Sequence, residues 1–162
     1  MVFNFLLMRL REKEITDRGE IEELLKSKNV CHFAMCDGAF PYVLPTTYGY
    51  ADGHLYIHSS KKGRKIEVLK GNNRVCFTVD TGHELVQGPL ETSCKSTIKF
   101  KSVVGTGRAI FVEDAEEKRK AMNVIMGQVF GKADFKYSEE GLRDMAIIRV
   151  DIESITGKKN GY

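Results

Sequence analysis

The segment His58-Ser59-Ser60-Lys61-Lys62-Gly63-Arg64-Lys65 sets two hydroxyls and four cations between a strand-like run and the start of a helix-like one. Free amides at a helix start, hydroxyls and Arg or Lys side chains together make a phosphate seat. The same residues also read as a solvated basic turn, since they match no Walker motif. A second segment, Leu44-Pro45-Thr46-Thr47-Tyr48-Gly49-Tyr50, carries a proline inside a strand-like run. Missing ladder bonds there leave backbone groups for a ligand, or simply protect a sheet edge. A third, running from Cys94 through Phe100 and Ser102 to Gly105, alternates polar and apolar residues, as any half-exposed strand does.

Other chemistries lack the required spacing. His32, His54, His58 and His83 are scattered, so no metal site is expected. Cys31, Cys36, Cys76 and Cys94 contain no pair with a two-residue gap, and reduced thiols are expected. The first three lie in apolar runs and read as small buried hydrophobes, whereas Cys94 falls in a polar loop. Gly105 and Gly107 resemble the start of a dinucleotide fingerprint but lack its βαβ setting, which excludes a Rossmann site.

These candidates need a scaffold. The 162 residues, 42% hydrophobic and 29% charged, suit one domain with its own core. A net charge of +3 is too small for the dominant basic face of a nucleic-acid-binding domain. The apolar stretch at residues 1–7 is far shorter than the roughly 20 residues of a membrane helix. It also lacks a signal peptide's cationic leader and cleavage site, so no membrane association and a cytoplasmic location are expected. Residues 1–7 read as an extension, 8–159 as the domain and 160–162 as a tail.

Asp17 with Glu20 forms a capping pair for a helix over 17–27, with Ile21, Leu24 and Leu25 on one face. Strands over 30–36, 41–50 and 54–59, separated by Asp37-Gly38 and Asp52-Gly53, predict a three-stranded meander. Lys61-Lys62-Gly63 opens a short helix bearing Ile66 and Leu69, closed by Gly71-Asn72-Asn73. A strand over 74–80 leads into a polar loop over 81–97, then a strand over 98–112 bulged near Gly105 and Gly107. Asp114 with Glu117 caps a helix ending near Gly131, whose Ala121, Val124, Ile125, Gln128 and Val129 form an amphipathic face. Met122 and Met126 beside it are core residues, and a strand over 145–152 precedes a polar tail from Gly157. Six strands and about three helices, with the strands consecutive, predict a mainly β, antiparallel barrel.

In this order the segments resemble the pyridoxamine 5'-phosphate oxidase-like FMN-binding split barrels, especially their nitroimidazole-resistance branch. The likeness spans roughly 8–159. It rests on Arg9 to Asp17, Pro41-Tyr42-Val43-Leu44-Pro45 before Tyr48-Gly49-Tyr50, and Leu55-Tyr56-Ile57-His58-Ser59 before Gly63-Arg64-Lys65. Further matches are Arg74-Val75-Cys76-Phe77, His83-Glu84-Leu85-Val86, the run from Lys101 to Ala109, and Ile155-Thr156-Gly157-Lys158.

The resemblance implies a homodimer with FMN at its interface. Ser59, Ser60, Arg64 and Lys65 would hold the phosphate, His58 would lie beside the flavin, and Pro45, Thr46 and Thr47 would line the isoalloxazine. Phe100, Ser102 and Cys94 would come from the partner; Phe100 stands where many relatives carry tyrosine. It further implies a nicotinamide-dependent reductase of small substrates, nitroaromatics among the candidates, with NADH or NADPH as transient donor and the cofactor carrying the chemistry. A flavin-storage or planar-ligand binding protein without turnover is the alternative. The C-terminal substrate segment of the pyridoxamine-phosphate-oxidising branch has no counterpart in this tail.

Overall fold

The computed structural model describes residues 10–90, 95–132 and 135–162. A 3-10 turn (Arg11–Lys13) and a two-residue strand β1 (Glu14–Ile15) precede α1 (Arg18–Lys26). The Asp17 carboxylate accepts from the Gly19 amide, leaving Glu20 outside the expected capping pair. Glu20 instead receives Lys101 and Lys159 at 2.9 Å each, tying α1 to the sheet.

β2 (Val30–Asp37) and β3 (Phe40–Thr47) form a hairpin through Gly38, whose φ of 60° suits a tight turn. β4 (Gly49–Ala51) and β5 (His54–Ser60) form a second, turning at Asp52 and Gly53 with both φ values positive. α2 (Arg64–Gly71) follows, then β6 (Arg74–Val86) and β7 (Thr97–Val112). α3 (Ala115–Phe130) begins where Asp114 accepts from the Glu117 amide and ends at Gly131 in the left-handed region, as expected. A short α4 (Glu139–Asp144) leads into β8 (Met145–Asn160).

The strands run β3-β2-β6-β7-β8-β5-β4, all antiparallel, with β1 pairing the end of β8. The two ends of this path, β3 and β4, are one continuous stretch of chain broken at Tyr48. That stretch closes the barrel and leaves it split: β3 bonds to β2, β4 bonds to β5, and the expected meander through 41–50 is two half-strands serving opposite edges. Tyr48 is fully buried at the break, and its hydroxyl donates to the Leu25 carbonyl at 2.6 Å.

The barrel interior holds Phe33, Met35, Leu55, Ile57, Phe77, Val79, Ile148 and Val150, closed at one end by Ile66 and Leu69 of α2. A second cluster of Val112, Ala121, Met122, Ile125, Leu142 and Ile147 lies beneath α3 and α4, with Met126 against it. Gln128 locks α3 to the barrel: its side-chain amide donates to Leu25 and Lys28 carbonyls and accepts from the Tyr50 amide.

Three expectations about strands and helices change. Residues 81–86 are strand, a polar arm of β6 pairing with 97–101 of β7 across an irregularity between Thr81 and Glu84. Residues 153–160 continue β8, whose ladder bulges near Gly107. The β6 arm is exposed on both faces from 82 to 85, which removes the apolar alternation that marks a strand, and in the β8 extension the buried position is Gly157, against Ile15 and Ile21, where glycine carries no apolar signal. α4 is too short for periodicity to reveal. Among the described residues, no helix is long and apolar enough to cross a membrane.

Candidate functional site

The basic turn joins β5 to α2. The Ser60 hydroxyl accepts from the Lys62 amide at 3.2 Å, and Gly63 takes φ 112°, which glycine alone adopts readily. The Gly63 carbonyl receives the Ile66 and Glu67 amides. The Arg64 and Lys65 amides, first in α2, have no backbone acceptor among the described residues. They carry the partial positive charge of a helix start.

Arg64 and Lys65 face the β2–β3 hairpin. The Arg64 Nε–H donates to Asp37 at 2.7 Å, and its guanidinium sits 4.5 Å from the Tyr42 ring centre. Lys65 is half-buried and forms no ion pair among the described residues. Burial holds its ammonium below the ordinary lysine range. The nearby Cys31 thiol, buried among apolar groups, is pushed up to about 12 and is therefore neutral and unreactive. Cys31 pairs with the buried Thr46, so Lys65 and Thr46 share one end of the barrel. Pro45 is exposed and pairs with His32, while Thr47 is half-buried opposite Val30. Ser59 is half-buried opposite Ala146, and His58 is exposed opposite Ile147.

Phe100 and Ser102 lie elsewhere. Ser59 pairs with Ala146 and Ser102 with Lys158, twelve residues further along β8. At about 3.3 Å per residue, that is on the order of 40 Å of strand. Across the sheet, however, Ser102 pairs with Asp80, two residues beyond the Thr78 that pairs with His32 beside Pro45, so Ser102 lies toward the β3 segment of the site and away from the turn itself. Phe100 and Ser102 are both half-buried, with Lys158 Nζ 5.9 Å from the centre of the Phe100 ring. The outer sheet face bears exposed Val30, Val43 and Val104. Cys94 lies outside the described residues.

Of the other thiols, Cys31 is buried and Cys76 half-buried, but Cys36 is exposed. It sits beside the hairpin turn on the outward face of β2, where the apolar run no longer signals burial. Asp37 and Tyr42, which hold Arg64, escaped the sequence reading as site residues. Their only signal was a turn dipeptide and a strand-start aromatic.

The profile of the family described as Pyridoxamine 5'-phosphate oxidase matches residues 17–159. A candidate 5-nitroimidazole antibiotic resistance protein from Bacteroides thetaiotaomicron superposes with a TM-score of 0.81 at 35% identity, covering 90% of this chain and 86% of that one. A FAD-binding protein from Mesorhizobium loti does so with a TM-score of 0.65 at 27% identity, covering 90% and 96%. The FAD and heme binding protein of Mycobacterium smegmatis, at 17% identity and a TM-score of 0.83 over 93% and 74%, shares the fold. Comparison with curated proteins gives no match.

Proposed function

The chain belongs to the pyridoxamine 5'-phosphate oxidase family, and on that premise we propose that it is an FMN-dependent reductase acting as a homodimer. The observation that carries this reading is the cation pair on α2. Among the described residues Lys65 is half-buried without a carboxylate partner, Arg64 adjoins it in sequence, and the amides of both have no backbone acceptor. A phosphate monoester supplies the missing countercharge. Ser59 and Ser60 contribute hydroxyls, Thr46 borders the seat, and Pro45, Thr47 and His58 lie along the strands leading from it.

FMN is favoured over FAD because the seat offers one compact group of cations and no glycine-rich pyrophosphate loop. The Mesorhizobium loti relative binds FAD, so the choice of flavin is a property to be measured. Bound, the flavin would accept hydride from NADH or NADPH and pass electrons to a small substrate; the nitroaromatic class follows from the Bacteroides thetaiotaomicron relative. The chain's own part is to hold the phosphate, orient the ring against β3 and keep water from one face.

The partner subunit supplies the other wall. On this reading Phe100 and Ser102 approach the partner's flavin, and a two-fold arrangement returns to each subunit what it lends. Exposed Val30, Val43 and Val104 suit the covered face.

The test is purification with added FMN or FAD, followed by chromatography of the released flavin and assay of NADH and NADPH oxidation. One FMN per chain with nicotinamide turnover is expected. A protein that takes up neither flavin overturns the reading, and a tightly bound flavin without turnover makes it a storage protein.

A further inference from the structure

Lys118, in the first turns of α3, is the one charged side chain among the described residues that is almost wholly buried, at 4% exposure. Its ammonium donates to the Leu142 and Met145 carbonyls at 3.3 and 3.2 Å, at the C-terminal end of α4. Carbonyls there suit a cation. They occupy two of its three N–H donors and supply no full countercharge, and no carboxylate pairs with it among the described residues. A buried charge left in that state is costly.

Two concavities meet at this lysine. One, of about 490 Å3, lies between α3 and α4 and has Glu113, Arg119, Glu139 and Arg143 on its rim. The other, of about 220 Å3, is walled by Ile66, Phe111, Val112, Met145 and Ile147. They share Lys61, Glu113 and Lys118, and the two linings together carry five cations and three carboxylates. The larger lies within the roughly 300–1,000 Å3 typical of small-ligand sites. This region lies across α2 from the proposed flavin seat. Arg64 and Lys65 face β2 and β3, whereas Ile66 and Lys70 face β7 and β8.

The geometry points to a second binding site, for a small organic monocarboxylate with an aromatic or aliphatic body. The carboxylate meets the free N–H of Lys118 together with Lys61, and the body lies on the apolar wall of the smaller chamber. A phosphate dianion fits less well, because Glu113 stands in both linings and repels a second negative charge.

Benzoate, its neutral isostere benzamide and inorganic phosphate are titrated into the full-length protein with its flavin bound. Binding is followed by calorimetry and by the methyl resonances of Met145 and Ile147. Saturable benzoate binding is expected, weakened about tenfold or more for benzamide and for Lys61→Ala, the effect of removing one charge-assisted contact. Lys118→Met should abolish it, and since that variant removes the α4 contact as well, the benzamide and Lys61→Ala arms decide if it fails to fold. Absence of a saturable shift, equal affinity for benzoate and benzamide, tighter binding of phosphate, or competition between benzoate and FMN would each overturn the site.

Discussion

Arg64, on the first turn of α2, donates to the Asp37 carboxylate at the tip of the β2–β3 hairpin over 2.7 Å while lying on the Tyr42 ring. Both partners of the ion pair are exposed, at 60% and 40%, so the bond is worth less than about 1 kcal/mol. A phosphate contact to the same guanidinium is worth about 1.5–3 kcal/mol. Arg64 can therefore turn from the hairpin to a phosphate at small cost. Asp37→Ala should leave FMN affinity unchanged or raise it a few-fold, and Arg64→Ala should lower it by about tenfold or more. Fluorescence titration of FMN into the apo-proteins measures both.

Lys65→Met separates stability from binding. The ammonium is held below its ordinary range by burial, so the fold disfavours the charged form. That penalty is present while the lysine is protonated and is relieved as pH rises through the depressed folded value. Methionine keeps the stem and removes the charge. The apo-protein should melt about 2 °C higher, a small gain because a half-exposed charge is partly screened. FMN affinity should fall by about 1.5–3 kcal/mol. Calorimetric melting of the apo-protein at neutral and at alkaline pH checks the sign, with the difference shrinking as pH rises.

Much of this was legible beforehand, for identifiable reasons. The helices of α1 and α3 announced themselves through Asp17 and Asp114 caps and through apolar positions three and four apart. The hairpins announced themselves through Asp37-Gly38 and Asp52-Gly53. The turn at 58–65 stood out because hydroxyls and cations are concentrated there. Non-local facts were not legible. Nothing in Pro41 to Tyr50 tells that Tyr48 marks a change of sheet edge. Arg64's bond to Asp37 and Lys118's two carbonyls join residues 27, 24 and 27 positions apart. The polar arm of β6 gave no alternation because its residues are largely exposed on both faces, and the end of β8 gave little because its buried position is Gly157, set against Ile15 and Ile21.

Gly49→Ala tests how α3 closes the split. A Cβ at this position would lie 2.7 Å from the Ile125 backbone, and backbone cannot turn aside as a flexible side chain can. α3 must then lift from β4. Overpacking of this kind costs about 1–3 kcal/mol. Urea denaturation should show that loss, with the midpoint lowered and the slope unchanged.

Glu20 sits between Lys101 and Lys159, and their bonds, Lys101's first, hold its carboxyl below the ordinary 4.5. A depressed folded value stabilises the protein above the unfolded one and is lost as pH falls through the folded one. Glu20→Gln should therefore cost about 0.5–1 kcal/mol at pH 7. The gap from the unsubstituted protein should narrow below pH 4.5. Equal losses at neutral and acid pH would assign the effect to packing.

The shared flavin seat rises or falls on sedimentation of the apo- and FMN-loaded protein, with absorbance recorded at both protein and flavin wavelengths. If Arg64 and Lys65 of one subunit hold the phosphate while Phe100 and Ser102 approach from its partner, flavin must sediment with dimer. Added FMN must also shift any monomer toward dimer by linkage, and Phe100→Asp must weaken dimer and flavin retention together. A flavin-saturated monomer at micromolar concentration would contradict the shared site.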